Sequence, residues 1–181
     1  NDAHLRNGIG FAPSEVGQGF SFDGLDDRVI VSNSPSLNFG PGADFSIEAW
    51  IQPLPAVTDF GVQSIVDKRF TPDFTAAVGY TFVLVDGKLA CQLADAPLAS
   101  LDFSSFLSPG PDLRDGLFHH VAMVVQRAAT NGGKLYVDGQ VVLTFDPTVQ
   151  PGDLSTTEPL RIGNHADSAL NSHFKGRIDE V

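Results

Sequence analysis

Three aspartates, Asp23, Asp26 and Asp27, crowd one short stretch of the chain. Like charges so close together repel each other unless a cation or a basic side chain offsets them. Calcium takes about six to eight oxygens from carboxylates, carbonyls and water, so it suits an Asp-rich turn. The spacing is not that of an EF-hand, and turn capping or pairing with Arg28 and Arg177 would explain the same residues. Structural calcium is therefore the cofactor that the sequence suggests, with capping as the alternative.

A second candidate group pairs an aromatic ring with a carboxylate. Trp50 is the only tryptophan, and Glu48 lies two positions before it, so on a strand both side chains leave the same face. A pyranose ring can stack its C–H face on an aromatic ring while its hydroxyls reach a nearby carboxylate. The pair is thus a candidate carbohydrate-binding platform, unless a loop covers Trp50 and makes it a core residue.

A third group of polar side chains, Asn164, Asp167 and Asn171, lies in the loop before the last predicted strand. Loops held by a rigid sheet are common places for ligand contacts. These residues are candidate ligand-binding groups, and a solvated loop is the alternative interpretation.

Catalytic patterns are missing from the sequence. Glycoside hydrolysis needs two carboxylates that flank the scissile bond, whereas the alternate neighbours of Glu48 are Ser46 and Trp50, which cannot act as acid or base. The nucleophile elbow, the phosphate-binding loop and the His-Glu-x-x-His motif are absent. His119 and His120 are adjacent, so on a strand their side chains leave opposite faces and cannot chelate one metal together. The sequence therefore predicts that the protein is not an enzyme.

Composition narrows the function classes further. The 181 residues carry 11 Lys and Arg against 22 Asp and Glu, a formal net charge of −11, and no basic cluster. Such a charge balance argues against nucleic acid or an anionic membrane as partner. No apolar run is long enough to span a bilayer, so no membrane insertion is expected. With 42% hydrophobic residues, the chain can bury a core, and we expect one domain over residues 1–181.

Apolar residues recur with period two along most of the chain, which is typical of strands buried on one face. Asp86-Gly87 and Asp138-Gly139 each separate two such runs and predict type I′ hairpins. No stretch has a capped helical stripe. We therefore predict an all-β, two-sheet antiparallel jelly-roll sandwich of about eleven strands, at 19–22, 28–32, 43–52, 62–68, 80–85, 88–94, 117–126, 134–137, 140–145, 160–163 and 174–181.

Six phrases of the sequence resemble, in order and spacing, the laminin G-like domain of the concanavalin A-like lectin/glucanase superfamily, in its bacterial, pentraxin-related type. Phe118 stands where the family usually has Trp, which retains apolar bulk and loses the indole N–H. The resemblance covers nearly the whole chain and implies the concanavalin A-like fold. The phrases are GQGFSFDGLDDRV (17–29), FSIEAWI (45–51), HHVA (119–122), LYVDGQ (135–140), IGN (162–164) and FKGRIDEV (174–181).

The resemblance also implies a function and completes the candidate sites. It implies a calcium ion held between the early Asp turn and the acidic residue of the last strand, here Asp179, and it places the loop of Asn164, Asp167 and Asn171 at the sandwich rim. We expect a non-catalytic recognition module, extracellular or at the cell surface, excised from a larger protein. Its partner would be a glycan or an extracellular protein, alongside neighbouring domains of its own chain. A spacer or adhesion domain without small ligand and a glycan-cleaving enzyme are the alternatives.

Overall fold

The structure is a computed structural model that describes residues 2–71, 77–95, 102–166 and 170–181. Fourteen strands and three short 3-10 helices, at Pro35–Leu37, Asp59–Gly61 and Pro147–Val149, form within these residues. The strands are β1 (Ala3–Arg6), β2 (Gly10–Pro13), β3 (Gln18–Asp23), β4 (Arg28–Val31), β5 (Phe45–Pro53), β6 (Val62–Phe70), β7 (Val78–Val85), β8 (Lys88–Asp95), β9 (Ser104–Leu107), β10 (His119–Val125), β11 (Gly133–Val137), β12 (Gln140–Phe145), β13 (Leu160–Ile162) and β14 (Lys175–Asp179).

The strands form two antiparallel sheets of seven strands each. Sheet A has the order β1-β4-β13-β6-β7-β8-β9, and sheet B has the order β12-β11-β10-β5-β14-β3-β2. Neighbours in the sheets come from distant parts of the sequence, as in the pairing of β10 with β5 and of β5 with β14. The prediction of an all-β, two-sheet jelly-roll sandwich is confirmed.

One core between the sheets follows from the period-two pattern. On β5, Phe45, Ala49 and Ile51 are buried in it, while Glu48 points out to solvent. Cys91 of β8 also faces this core and is fully buried, which raises the pKa of its thiol. Burial in apolar surroundings makes a cysteine inert, so Cys91 acts as a small apolar residue.

Both predicted Asp-Gly hairpins are present. Asp86 and Gly87 have φ values of +49° and +79°, and Asp138 and Gly139 have values of +50° and +76°. A type I′ turn requires positive φ at both central residues, which aspartate tolerates and glycine adopts without strain. These turns set the register of β7 with β8 and connect β11 to β12.

The two sheets differ in how their outer faces are covered. Most residues of β6, β7 and β8 in sheet A are buried, including both Thr81 and Phe82, which point to opposite faces. Sheet B keeps an open outer face, where Glu48 is exposed and Trp50 is half-buried. No helix of the described residues is long and apolar enough to cross a membrane.

Candidate functional site

The open face of sheet B carries Trp50, Glu48, His120 and Tyr136, which together we call the Trp50 face. His120 is the register partner of Trp50 in the pairing of β10 with β5. One step along the strands, Ala122 pairs with Glu48 on one side and with Tyr136 on the other. Side chains of residues paired in register leave the same face, so the four groups share one surface.

Contacts within this surface restrain the ring of Trp50 at its centre. The rings of Trp50 and His120 meet edge to face, with centroids 5.2 Å apart and planes inclined by 64°. The Nε2 atom of His120 lies 3.7 Å from the Oε2 atom of Glu48. The Glu48 side chain is 70% exposed, so its carboxylate can accept hydrogen bonds from a ligand. Trp50 is half-buried and not a core residue, and the surface can offer an aromatic ring beside a carboxylate.

Asp179 closes the Trp50 face on its other side. It is the register partner of Trp50 on β14 and is buried. Its Oδ2 atom accepts a hydrogen bond from the backbone N–H of Val16 at 3.0 Å, and its Oδ1 atom accepts one from Glu180 at 3.0 Å. A Cβ atom at Gly19 would lie 3.0 Å from the Cβ of Asp179, so the chain needs glycine there. Asp179 thus fixes the turn of residues 14–17 beside Trp50.

A second feature is the turn between β3 and β4, which we call the Asp turn and define by Asp23, Asp26 and Asp27. One carboxylate oxygen from each of these residues lies within 4.8 Å of the other two. Asp23 caps the turn, because its Oδ1 accepts the N–H of Leu25 at 2.8 Å. Within the described residues no salt bridge offsets the three carboxylates, and Arg28 donates instead to the backbone carbonyl of Asp26.

Asp27 shows that the Asp turn fits a cation. The residue is 4% exposed, and its Oδ2 accepts the N–H of Asp23 at 3.0 Å. Its Oδ1 atom is buried and has no hydrogen-bond partner in the described part of the chain. Burial raises the pKa of Asp27, and the charges of Asp23 and Asp26 raise it further. A hard divalent cation would satisfy the unpaired oxygen and offset the repulsion.

The structure does not bring Asp179 to the Asp turn. Asp23 is paired with Lys175, which lies four positions before Asp179 on β14, so the two aspartates are roughly 13 Å apart along the sheet. Both oxygens of Asp179 also accept backbone N–H groups, as described above. The Asp turn has a different neighbour, because Asp23 and Asn171 line the same cleft of about 570 Å³.

Asn164 and Asn171, the two described residues of the predicted ligand loop, do not join the Trp50 face. Asn164, directly after Gly163, is buried and donates from Nδ2 to the carbonyl of His165 at 2.9 Å. Asn171 is exposed and holds another loop in place: its side chain donates to the carbonyl of Val57, and its backbone exchanges hydrogen bonds with Asp59. The third predicted residue of the loop, Asp167, lies outside the described residues.

The two adjacent histidines have separate roles. His119 Nδ1 lies 2.8 Å from Asp138, and its Nε2 lies 3.2 Å from Asp115. Partial burial alone would lower the pKa of His119, but the hydrogen bonds to Asp138 and Asp115 outweigh it and raise the pKa above its ordinary value. His119 therefore ties the end of β10 to its flanking turns, whereas His120 belongs to the Trp50 face.

Sequence reasoning missed two members of the Trp50 face. Neither His120 nor Tyr136 was singled out from the sequence, which indicated only that the side chains of His119 and His120 leave opposite faces of their strand. Their parity along β10 and β11 can be read from the sequence. Their proximity to Trp50 depends on β10 pairing with β5, and those two strands lie more than 60 residues apart in the chain.

Comparison with known proteins agrees with this fold. A family model described as "Concanavalin A-like lectin/glucanases superfamily", of laminin G type, matches residues 23–181. No curated protein matches the chain in sequence.

Several binding domains of solved structure have the same fold. The binding domain of Paraclostridial Mosquitocidal Protein 1 superposes with a TM-score of 0.72 at 16% identity, covering 98% of this chain and 42% of that one. Domain 4 of AbnA, a GH43 extracellular arabinanase from Geobacillus stearothermophilus in complex with arabinotriose, gives 0.58 at 16% identity, with 98% and 79% covered. The ligand-binding domain of botulinum neurotoxin serotype D, in complex with N-acetylneuraminic acid, gives 0.63 at 13% identity, with 98% and 40% covered. The chain thus spans about two-fifths of the first of these proteins, and at such identities the likeness concerns the fold.

Proposed function

Since the chain belongs to the laminin G-type family of the concanavalin A-like lectin/glucanases superfamily, we propose that it is a non-catalytic module that binds carbohydrate through the Trp50 face. The observation that carries the proposal is the half-buried ring of Trp50, held open beside the exposed carboxylate of Glu48 on an uncovered sheet. An aromatic ring next to a hydrogen-bond acceptor matches the two surfaces of a pyranose, one apolar and one hydroxylated.

The geometry suggests how a sugar would lie. A ring stacked on Trp50 would place its hydroxyl groups within reach of Glu48 and of the imidazole of His120. Tyr136, which is separated from Glu48 by the width of one strand, provides a second aromatic contact for the next sugar along the sheet. An open, flat surface buries little of each ring, so we expect weak binding by one module and stronger binding when several modules act together.

Two solved structures with the same fold support carbohydrate as the ligand class. One solved neighbour is a domain of an extracellular arabinanase in complex with arabinotriose, and another is a neurotoxin domain in complex with N-acetylneuraminic acid. Both are parts of larger proteins. By analogy, we place this module in a larger extracellular or surface protein, next to other domains of that chain.

Calcium has a structural role in the proposal. Asp23, Asp26 and Asp27 would hold the ion, because their oxygens lie close together and Asp27 has an unpaired buried oxygen. Bound calcium would offset most of the negative charge of the turn and fasten β3 to β4. The Asp turn and the Trp50 face share no residue, so carbohydrate binding should not require the ion directly.

A glycan array probed with the purified protein, once with calcium and once with EDTA, tests the proposal. We expect binding to at least one glycan class in both conditions, and at least about a tenfold loss of affinity in Trp50→Ala. Phe60→Ala is the matched control, because it removes an exposed aromatic ring from a loop over sheet A and should leave binding unchanged.

Three outcomes would contradict the proposal. Equal binding by Trp50→Ala and the unaltered protein would remove the Trp50 face as the site. Binding that disappears in EDTA while the protein stays folded would move the ligand to the Asp turn. No binding in either condition would favour a spacer or protein-adhesion domain.

A further inference from the structure

Sheet A carries a cavity of about 500 Å³ on its outer face, away from the Trp50 face. Its floor is formed by outward-pointing residues of β7, β8 and β9, and its cover by the loops around Phe60 and Ser172. The two loops are joined to each other, since the N–H of Asp59 donates to the carbonyl of Asn171 at 2.6 Å, and the N–H of Asn171 donates to the Asp59 carboxylate at 2.9 Å. Small-molecule sites have volumes in this range, roughly 300 to 1,000 Å³. We call it the sheet A cavity.

Strand register divides the cavity floor into an apolar row and a polar row. In the apolar row, Val83 pairs with Ala90, which pairs with Leu107. Phe60 and Leu107 stand at the mouth, 81% and 51% exposed. Phe60 is also held at a positive φ of +55°, a strained conformation for an aromatic residue. Exposed apolar groups around a cavity and local backbone strain are both features that collect at binding sites.

The polar row is one step along the same strands, where Asp67, Thr81, Gln92 and Ser105 are register partners in that order. Arg69, which also lines the cavity, forms a buried ion pair with Asp67 at 3.0 Å and donates to Gln92. Gln92 donates in turn to Ser105 at 2.8 Å. The guanidinium and the carboxylate neutralise each other, and His165, which also lines the cavity, contacts both of them. The ion pair therefore leaves no free charge to repay the cost of desolvating a charged ligand.

Thr81 is the group in this row that points to a ligand. It lines the cavity and has no solvent exposure. Its Oγ1 atom has no hydrogen-bond partner among the described residues. Buried hydroxyl groups are normally paired, so an unpaired one in the wall of a cavity is satisfied most simply by the molecule that fills it.

We propose that the sheet A cavity is a second binding site, which takes one neutral small molecule with an apolar body and a single hydroxyl or carbonyl group. The apolar body would lie over Val83, Ala90 and Leu107, with Phe60 at the mouth, and the polar group would bond to the Thr81 hydroxyl. The site is independent of carbohydrate binding on sheet B, because the two surfaces belong to different sheets.

Two fluorescent probes of similar shape test the charge and the location. The neutral N-phenylnaphthylamine should bind with saturable fluorescence enhancement, and anilinonaphthalene sulfonate, which adds one negative charge, should bind at least about tenfold more weakly. Ala90→Phe fills the floor of the cavity and should weaken the neutral probe by at least about tenfold. Ala122→Phe is the matched control, since it adds the same side chain to the outer face of sheet B and should leave the probe unaffected.

Several results of these binding measurements would overturn the proposal. The proposal would be overturned if Ala90→Phe and Ala122→Phe lost equal affinity for the neutral probe, or if neither lost any. Tighter binding of the sulfonate than of the neutral probe would also overturn it. If Ala90→Phe fails to fold, judged by its thermal melt, Ala90→Leu fills less space and should still weaken binding of the probe by about threefold.

A competition experiment tests the role of Thr81. Naphthol, which carries one hydroxyl, should compete with the probe, and Thr81→Val should weaken that competition by about threefold to tenfold. Unchanged competition would overturn the role of Thr81.

Discussion

The imidazole of His120 meets the indole of Trp50 edge to face at a centroid distance of 5.2 Å, across the pairing of β10 with β5. The contact restrains the indole on an otherwise open sheet, because an edge-to-face pair favours one relative orientation of its rings. A ring that is already restrained loses less conformational entropy when a sugar stacks on it.

We therefore expect His120→Ala to weaken glycan binding by about threefold to tenfold, the equivalent of roughly 0.5 to 1.5 kcal/mol for an aromatic pair. His120→Phe keeps a ring at the same place and should recover the part of the affinity that comes from the restraint, but not the part that comes from hydrogen bonds to the imidazole. Titration calorimetry with the best glycan from the array measures both. His4→Ala, on the exposed strand β1, is the control. Identical affinities for His120→Ala and the unaltered protein would contradict the restraint.

The Asp turn predicts a calcium-dependent melting temperature. Calcium at about one hundred times its dissociation constant would stabilise the fold by roughly 2.7 kcal/mol by mass action. Asp27→Asn should reduce this gain, because a charged carboxylate is replaced by a neutral amide that offers only one oxygen. Without calcium the variant should melt at the same temperature as the unaltered protein or higher, since the change also relieves repulsion from Asp23 and Asp26.

Asp179→Asn is the companion variant to Asp27→Asn. Asp179 accepts two backbone N–H groups far from the Asp turn, so its substitution should lower the melting temperature equally in calcium and in EDTA. A calcium gain that is lost in Asp179→Asn as well as in Asp27→Asn would favour the arrangement expected from sequence, and a gain of full size in Asp27→Asn would contradict the Asp turn as the site.

His119 predicts a pH-dependent stability. Its pKa is raised above the ordinary value of 6.5 by Asp138 and Asp115, despite partial burial. A raised pKa in the folded state means that the stabilisation is complete below pH 6.5 and is lost as the pH rises through the folded-state pKa. The stability difference between the unaltered protein and His119→Gln should therefore be larger at pH 5.5 than at pH 9. Urea denaturation at both pH values measures it, with His4→Gln as control. A difference that grows toward pH 9 would contradict the assignment.

Lys68 predicts a large loss of stability on substitution. Its side chain is fully buried, and Nζ donates to the Asn38 side chain and to the carbonyls of Thr156 and Glu158 at 2.9 to 3.1 Å. Lys68→Met should cost about 3 kcal/mol, because the Asn38 side chain and two partly buried carbonyls lose their donor. Lys134→Met, on the outer face of β11, should change stability by less than about 0.5 kcal/mol. Equal effects of the two substitutions in chemical denaturation would contradict this role.

Eleven strands could be predicted from the sequence, because most of them alternate apolar and polar residues or border an Asp-Gly turn, and β4 is a run of β-branched residues. Three strands were missed, β1, β2 and β9. All four residues of β1 are exposed, β2 contains Gly10 and Pro13, and β9 has only four residues. Edge strands bury little, so they lack the pattern that reveals an inner strand.

The candidate sites could be predicted only where their residues are close together in the sequence. The Asp turn lies within five residues of sequence, and Glu48 and Trp50 are two positions apart on one strand, so both groups could be predicted. The distance of Asp179 from the Asp turn depends on the register of β14 with β3, which the sequence pattern does not determine. The sheet A cavity depends on loops that fold over β7 and β8, and nothing in the alternation of those strands indicates a cover.

The first two strands have a consequence for any shortened form of the protein. β1 pairs with β4 at the border of sheet A, and β2 pairs with β3 at the border of sheet B. Only the three residues 7–9 separate the two strands. One short segment therefore caps both sheets, although it lies before residue 23, where the family match begins. A chain trimmed to the matched region would lose β1, β2 and nearly all of β3, so the inner strands β4 and β14 would become borders of the two sheets, and newly exposed strand borders recruit strands from other molecules into aggregates.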